Sequence, residues 1–216
     1  MFLGPSEKPN RTERLETCQR TTSSPICLLV ARRALQFFFF VAILFLLFSA
    51  GLFGSLSIGT IYPLSFTDID GNKLSTADGH VTIVVLTTPA DKENARTVGD
   101  RVPERCLGNP DYRMITILRL TQRYLAIGRR IAIALVRHRV NEEASRLQAR
   151  YKAKSIERDA RKDIFVVTDF GGSISSQFGE SKETTDFGVF VFGRNGELLA
   201  QWHGVPSAEQ LDAAIK

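Results

Sequence analysis

The sequence predicts an α/β domain with a mixed central sheet, carried behind one membrane-spanning helix. Three features lead to this: a charge-free run from Ala34 to Thr67, three β-branched apolar stretches spaced by helix-forming segments, and an Asn195-Gly196 pair between two further apolar runs. The first suits a bilayer, the second is the alternation that builds a parallel sheet, and the third closes a hairpin.

Within the charge-free run, Phe37 to Phe48 contains no polar side chain. A bilayer interior takes about 20 mostly apolar residues as a helix, because a helix satisfies its own backbone polar groups. Ala34 to Ile58 meets that need with Gln36 and three serines as its polar interruptions. Residues 1–33 carry six basic side chains, with Arg32-Arg33 directly against the run, and no charge follows the run until Asp68. The positive side stays inside. The expected layout is a cytoplasmic basic tail over 1–33, a signal anchor over 34–58 and an exported domain over 62–216, on the outer side of the cytoplasmic membrane and in the periplasm if the cell is a bacterium. A cleaved signal peptide would share the basic flank and the small residues Ser49-Ala50-Gly51. Its n-region would be too long, and the apolar run continues past the small residues.

Each element of the exported domain has a local cause. Ser65 to Ser75 reads as two short strands around an Asp70-Gly71 turn, since glycine takes the positive φ such a turn requires. His80 to Thr87 is β-branched almost throughout, the pattern of a strand buried on both faces. Pro89 and Asp91 start a helix expected to run to about Cys106. Tyr112 to Leu118 is a second strand, followed by a long basic helix with Leu125, Ile131, Leu135, Leu147 and Tyr151 among its charges, and Asp163 to Thr168 is a third strand. Ser173 to Gly179 is a short helix closed by glycine, Phe187 to Trp202 is a hairpin about Asn195-Gly196, and Pro206 opens a last helix with Leu211 and Ile215 on one face. Crossover helices between strands imply parallel members in a covered sheet, with the final hairpin as an antiparallel edge.

Charge is concentrated. Residues 119–162 hold thirteen Arg or Lys against four acidic residues, more than the whole-chain excess of +5. Cysteine is sparse: Cys18 and Cys27 fall in the tail and Cys106 alone in the domain, which excludes a disulfide within the domain and any cysteine-rich metal spacing.

The leading hairpin Phe66-Thr67-Asp68-Ile69-Asp70-Gly71, the strands Val84-Val85-Leu86 and Val166-Val167-Thr168-Asp169, and the closing hairpin from Val189 to Leu199 with Gly204 and the Pro206 helix together resemble the thioredoxin-like superfamily. The likeness is to its membrane-anchored redoxin branch, related to peroxiredoxins and to thiol-disulfide proteins of the cell envelope. It implies a thioredoxin-like sandwich over 62–216, with an N-terminal hairpin extension and the basic helix as an insertion. In that superfamily the working cysteine stands at the start of the helix after the first core strand, where the helix N-terminus stabilises a thiolate. Here Thr87-Thr88-Pro89-Ala90-Asp91-Lys92-Glu93-Asn94 holds no cysteine. A hydroxyl stays protonated at neutral pH without a strong base beside it, so neither threonine replaces the thiolate in disulfide exchange or peroxide reduction. The superfamily's cis-proline before the penultimate strand is also gone, with Thr185-Asp186-Phe187 in its place. The ancestral site region is Thr87, Thr88, Pro89 and Phe187.

Cys106 is the one candidate nucleophile the domain retains. Its expected place near a helix C-terminus disfavours a thiolate, so it reads as a buried structural cysteine. His80, His138 and His203 are scattered over three elements, and Asp68-x-Asp70-Gly71-Asn72 lacks the later ligands of a calcium loop, so neither a metal nor a cofactor is expected. On the basic helix, Arg129, Arg130, Arg137, Arg139, Arg146 and Arg150 form a candidate surface for a membrane or an acidic partner. Nucleic acid is disfavoured by export and by Tyr124 and Tyr151, which form no stacking platform. The expectation is a redox-inactive binding or scaffold module of the cell envelope, its partner anionic lipid or an envelope protein. The alternative is a thiol oxidoreductase or peroxidase of redoxin type using Cys106.

Overall fold

The computed structural model describes residues 56–120, 125–179 and 187–215, all within the compact unit Phe53–Lys216. The basic tail and residues 34–55 of the predicted span lie outside the described residues. Leu56, Ser57 and Ile58, counted as the end of that span, are not helical, and Leu56 is buried in the domain core. The span as drawn from the sequence is therefore too long at this end, because Leu56 finds its apolar surroundings in the protein. Among the described residues no helix is long and apolar enough to cross a membrane.

The domain also begins earlier than residue 62. The N–H of Gly59 donates to the Leu198 carbonyl, that of Leu198 to the Thr60 carbonyl, and that of Tyr62 to the Gly196 carbonyl. Residues 56–62 thus cover the edge of the closing hairpin, whose backbone groups would otherwise be open to another chain.

The leading hairpin pairs β1 (Ser65–Thr67) with β2 (Lys73–Ser75) around Gly71, at φ +90°. The main sheet contains β3 (Val81–Thr87), β4 (Tyr112–Arg119), β5 (Ile164–Asp169), β6 (Gly188–Phe192) and β7 (Leu198–His203), in the order β5-β4-β3-β6-β7. β3, β4 and β5 are parallel, β6 is antiparallel to β3, and β7 is antiparallel to β6. The sheet is mixed, as the alternation of elements predicts, and β3 at its centre is buried at every residue.

Three helices complete the domain: α1 (Lys92–Arg101), α2 (Ala126–Ala153) and α3 (Ala208–Ala214). α1 is shorter than predicted. Residues Pro89–Asp91 form a separate 3-10 turn, and Val102, extended ahead of Pro103, stops the helix before a second 3-10 turn at Glu104–Cys106. Proline removes a donor and pushes the residue before it out of helical backbone, which is the physical reason. Helix α3 starts behind Ser207, whose hydroxyl and Gln210 form a capping box.

Alternation along each strand divides the core. One face (Val84, Leu86, Ile115, Ile117, Phe190 and Phe192) packs against the leading hairpin, Leu56 and Phe178. The other (Ile83, Val85, Val189 and Val191) packs against Val98 of α1 and Leu211 and Ile215 of the C-terminal segment, while Val136 and Val140 of α2 cover Ile164 and Val166 of β5. Phe178, set by the 3-10 turn Ser175–Phe178, lies 4.9 Å from the Phe190 ring and 6.1 Å from that of Phe66.

The hairpin is fastened to the sheet by a charge. Arg113 of β4, buried, donates to both carboxylate oxygens of Asp78 at 2.9 Å and to the Ser75 carbonyl. Burial pushes the Asp78 carboxyl up, but hydrogen bonds from Arg113 and His80 outweigh it and hold the group down at about 2.

Two outcomes are expected. Phe190→Ala should cost about 3–5 kcal/mol, read by urea unfolding, since it empties a fully packed site. Asp78 is held below its ordinary 3.8, so its contribution is present above that pH and lost as pH falls toward 2. A side chain one-third exposed keeps about 1–2 kcal/mol of this after screening. Unfolding of Asp78→Asn between pH 5 and 2 should therefore show a shallower loss of stability than the parent.

Candidate functional site

Parallel strands point one way, so their C-terminal ends collect at one edge of the sheet, where α/β folds place ligands. Here that edge gathers Thr87 from β3, Arg119 from β4 and Asp169 from β5. Thr87 is in register with Leu118, and Arg119 with Asp169. On the other side of β3, Leu86 pairs with Gly188, which sets Phe187 across from Thr87. The structure therefore brings the predicted Thr87, Thr88, Pro89 and Phe187 to one end. Thr185 and Asp186 lie outside the described residues.

Where a thiolate would stand, the chemistry is that of a hydroxyl. Thr88 precedes the Pro89–Asp91 turn in extended conformation, and its Oγ1 donates to Asp91 Oδ2 at 2.7 Å. Thr87 is buried, with its hydroxyl donating to the Thr88 carbonyl at 3.2 Å. Phe187, also buried, accepts from the Gly204 N–H through its carbonyl. A carboxylate beside Thr88 makes the place electronegative, the opposite of what lowers a thiol pKa.

Beneath this end lies a polar network that the sequence reading missed. Arg119 Nε donates to Ser175 Oγ at 3.0 Å, and Ser175 donates to Asp169 Oδ2 from its hydroxyl at 2.6 Å and from its backbone N–H at 2.8 Å. All three side chains are buried. Burial pushes the Asp169 carboxyl up, yet the Ser175 hydroxyl and the N–H groups of Ser175, Ile174 and Gly171 more than offset it, so the group stays ionised below the usual carboxylate range. The signal available in the sequence was a carboxylate at a strand end followed by Gly171-Gly172, the material of an Asx turn. Ser175 is not set up as a nucleophile. Its proton is given to an acidic carboxylate, with no imidazole touching it.

Cys106 is at the other end. It follows α1 in the loop that returns to the start of β4, and the register of Val81 with Tyr112 puts that loop at the N-terminal edge of the parallel strands. The side chain is 7 % exposed and packs with Val98, Val81 and Leu211. Burial pushes the thiol up; Arg105 opposes this and Asp212 adds to it. A shallow groove of about 510 Å³ beside it is lined by Arg101, Glu104, Arg105, Glu209 and Asp212. Among the described residues no three His, Cys, Asp or Glu side chains converge as metal ligands would.

The six arginines of the basic helix differ in how far the domain itself engages them. Arg129 stacks 5.3 Å from the Phe170 ring, Arg137 donates to the Ile69 carbonyl and faces Asp70, Arg146 approaches Glu143 at 3.5 Å, and Arg150 pairs with Asp100 at 3.1 Å. Only Arg130 and Arg139 are left without such partners among the described residues.

No family model matches the chain, and no curated protein matches it. The chain is similar in structure to a thiol:disulfide interchange protein of the thioredoxin family from Chlorobium tepidum (15 % identity, TM-score 0.47, covering 74 % of this chain and 97 % of that one). It is similar also to StoA from Bacillus subtilis (16 %, 0.41, 73 % and 99 %) and to a secreted disulfide oxidoreductase from Mycobacterium tuberculosis (10 %, 0.39, 71 % and 94 %). What identifies the fold is the chain's own connectivity: with parallel β3, β4 and β5, the antiparallel β6–β7 hairpin and α3 closing one face, the described domain is a thioredoxin-like α/β sandwich.

Proposed function

We propose that this is a membrane-anchored, exported thioredoxin-like domain that acts by binding a cell-envelope partner and carries out no thiol chemistry. The observation that carries the reading is the Thr88 hydroxyl donating to Asp91 at the helix start after β3. Disulfide interchange, the activity in the name of the Chlorobium tepidum neighbour, runs through a thiolate that attacks a sulfur. This chain has a hydroxyl bonded to a carboxylate at that place, and its domain cysteine is buried at the opposite end of the sheet with a raised thiol pKa. For the anchor, the support is the apolar run: even ended at residue 55, before the packed Leu56, a helix from Ala34 spans about 33 Å, enough for a bilayer interior. For the orientation, tail inside and domain outside, the support is the basic flank at Arg32-Arg33.

Peroxide and disulfide reduction by the full chain in detergent should equal the buffer rate, and Cys106→Ser should leave it unchanged. A rate well above buffer that disappears in Cys106→Ser sinks the reading in favour of an enzyme. The electrostatics can be tested separately with Thr88→Cys on a Cys18→Ser/Cys27→Ser/Cys106→Ser background. Beside Asp91 the new thiol should ionise above the ordinary Cys range of about 8.5, and adding Asp91→Asn should lower its midpoint by about one pH unit, read as iodoacetamide reactivity against pH. A midpoint near neutrality with Asp91 in place would mean that the helix start still favours a thiolate.

A further inference from the structure

We infer that the first half of α2 is a bilayer-docking face, which lays the domain on an anionic lipid surface. Ile127, Ile131 and Leu135 are 75 %, 65 % and 55 % exposed, although all three are large and apolar. Spaced four apart, they fall within about 80° of arc on one side of the helix. Val140 follows Ile131 by nine residues, half a turn round, and it is Val136 and Val140 that pack on β5. The outward stripe is therefore not the core face slipped out of place. From Ile127 to Leu135, about 12 Å of helix, the stripe itself is uncovered, while Val136 on the other side is half-buried against β5. The stripe then stops: His138 and Glu142, 3.4 Å apart, continue the same side as a polar pair.

Charge selects the occupant. The two helix arginines without intramolecular partners among the described residues, Arg130 and Arg139, fall about 100° to one side and about 80° to the other of Ile131. That is the layout of a helix lying in a membrane interface, apolar residues down and long basic side chains reaching the head groups from both flanks. A second copy of the chain docked stripe to stripe would bring these arginines against each other, whereas anionic lipid answers them at on the order of 1 kcal/mol each. The proposed anchor brings a bilayer within reach: ended at residue 55, it adjoins Leu56, where the domain's packing begins. In this respect the inference rests on the anchor proposed above.

The test uses the full chain on the cysteine-free background, with an environment-sensitive fluorophore at Ile131→Cys or at Ala149→Cys. Ala149 lies five turns on at the same azimuth and is exposed, but beyond the stripe. In vesicles of phosphatidylcholine mixed with phosphatidylglycerol, emission from position 131 should shift to the blue and be quenched by a lipid-borne quencher several-fold more than emission from position 149. In phosphatidylcholine alone, or with Arg130→Glu/Arg139→Glu at unchanged circular dichroism, the difference should vanish. A label at 131 that stays in water on anionic vesicles overturns the inference. So does a shift that ignores lipid charge, and so does one that follows protein concentration without lipid, which would mean self-association. The anchor is read independently, by whether the chain floats with phosphatidylcholine vesicles after a high-salt wash; chain that washes off sinks the anchor while the label at 131 still reports docking on anionic vesicles added from outside.

Discussion

Strand β3 has to be dry on both faces, because every residue from Val81 to Thr87 is buried. Its polar backbone is satisfied by β4 on one side and β6 on the other, so the remaining requirement is apolar cover above and below. The sheet grows from β3 through β4 to β5 in one direction, and right-handed crossovers then place α1 and α2 on the same face. That leaves the opposite face without a crossover helix. The leading hairpin, Leu56 and Phe178 fill it, and the hairpin is worth its length because Arg113 clamps it through Asp78. The same topology separates the functional candidates. Anything at a parallel strand's C-terminal end meets Thr88, and anything in a returning loop, as Cys106 is, sits a strand's length away.

The basic segment, helix α2 with the residues that follow it, looks different once its partners are seen. Its excess charge, large in the sequence, is spent mostly within the domain: Arg150 and Lys154 reach Asp100 and Glu104 beside α1, Arg161 and Arg137 converge on Asp70, and Arg158 holds Asp163. Exposed pairs of this kind contribute little each, but they fix where a 28-residue helix lies across the sheet edge. Sequence charge therefore overstated the available basic surface, and among the described residues Arg130, Arg139, Lys152 and Lys162 remain as candidates for an outside partner.

Most of the fold was legible because it rests on local rules. The β-branched run around Val84 has one environment that suits it, Gly196 and Gly71 both take the positive φ their turns require, and Leu211 and Ile215 both end up buried. The errors are equally local in cause. Pro103 ends α1 short of the Cys106 that helix-forming composition would carry it to. Leu56 was assigned to lipid because an apolar residue at a run's end does not say which apolar medium it enters. The Thr87, Thr88 and Phe187 end was readable by analogy of position, but the Arg119–Ser175–Asp169 network was not. It joins residues 56 positions apart through a serine in a loop, and no periodicity or motif encodes such a meeting.

That network bears on what the site does. Burying Arg119 and Asp169 carries a desolvation cost that apolar residues of similar size would avoid, and a shared serine hydroxyl recovers part of it. In return the network pins the 3-10 turn of Phe178 to the ends of β4 and β5, and through Phe178 it reaches the hairpin and Phe190. The ends of β4 and β5, next to β3 and Thr88, are thus cross-linked by hydrogen bonds although no sulfur there needs positioning. Rigidity under a surface lowers the entropy lost when a partner binds, whatever chemistry the surface lacks. A catalytic thioredoxin-like site needs a thiolate at the helix start; a docking site needs a fixed shape and groups that hydrogen-bond. Thr88, its hydroxyl donating to Asp91, fails the first requirement and leaves the second open to the binding reading proposed above.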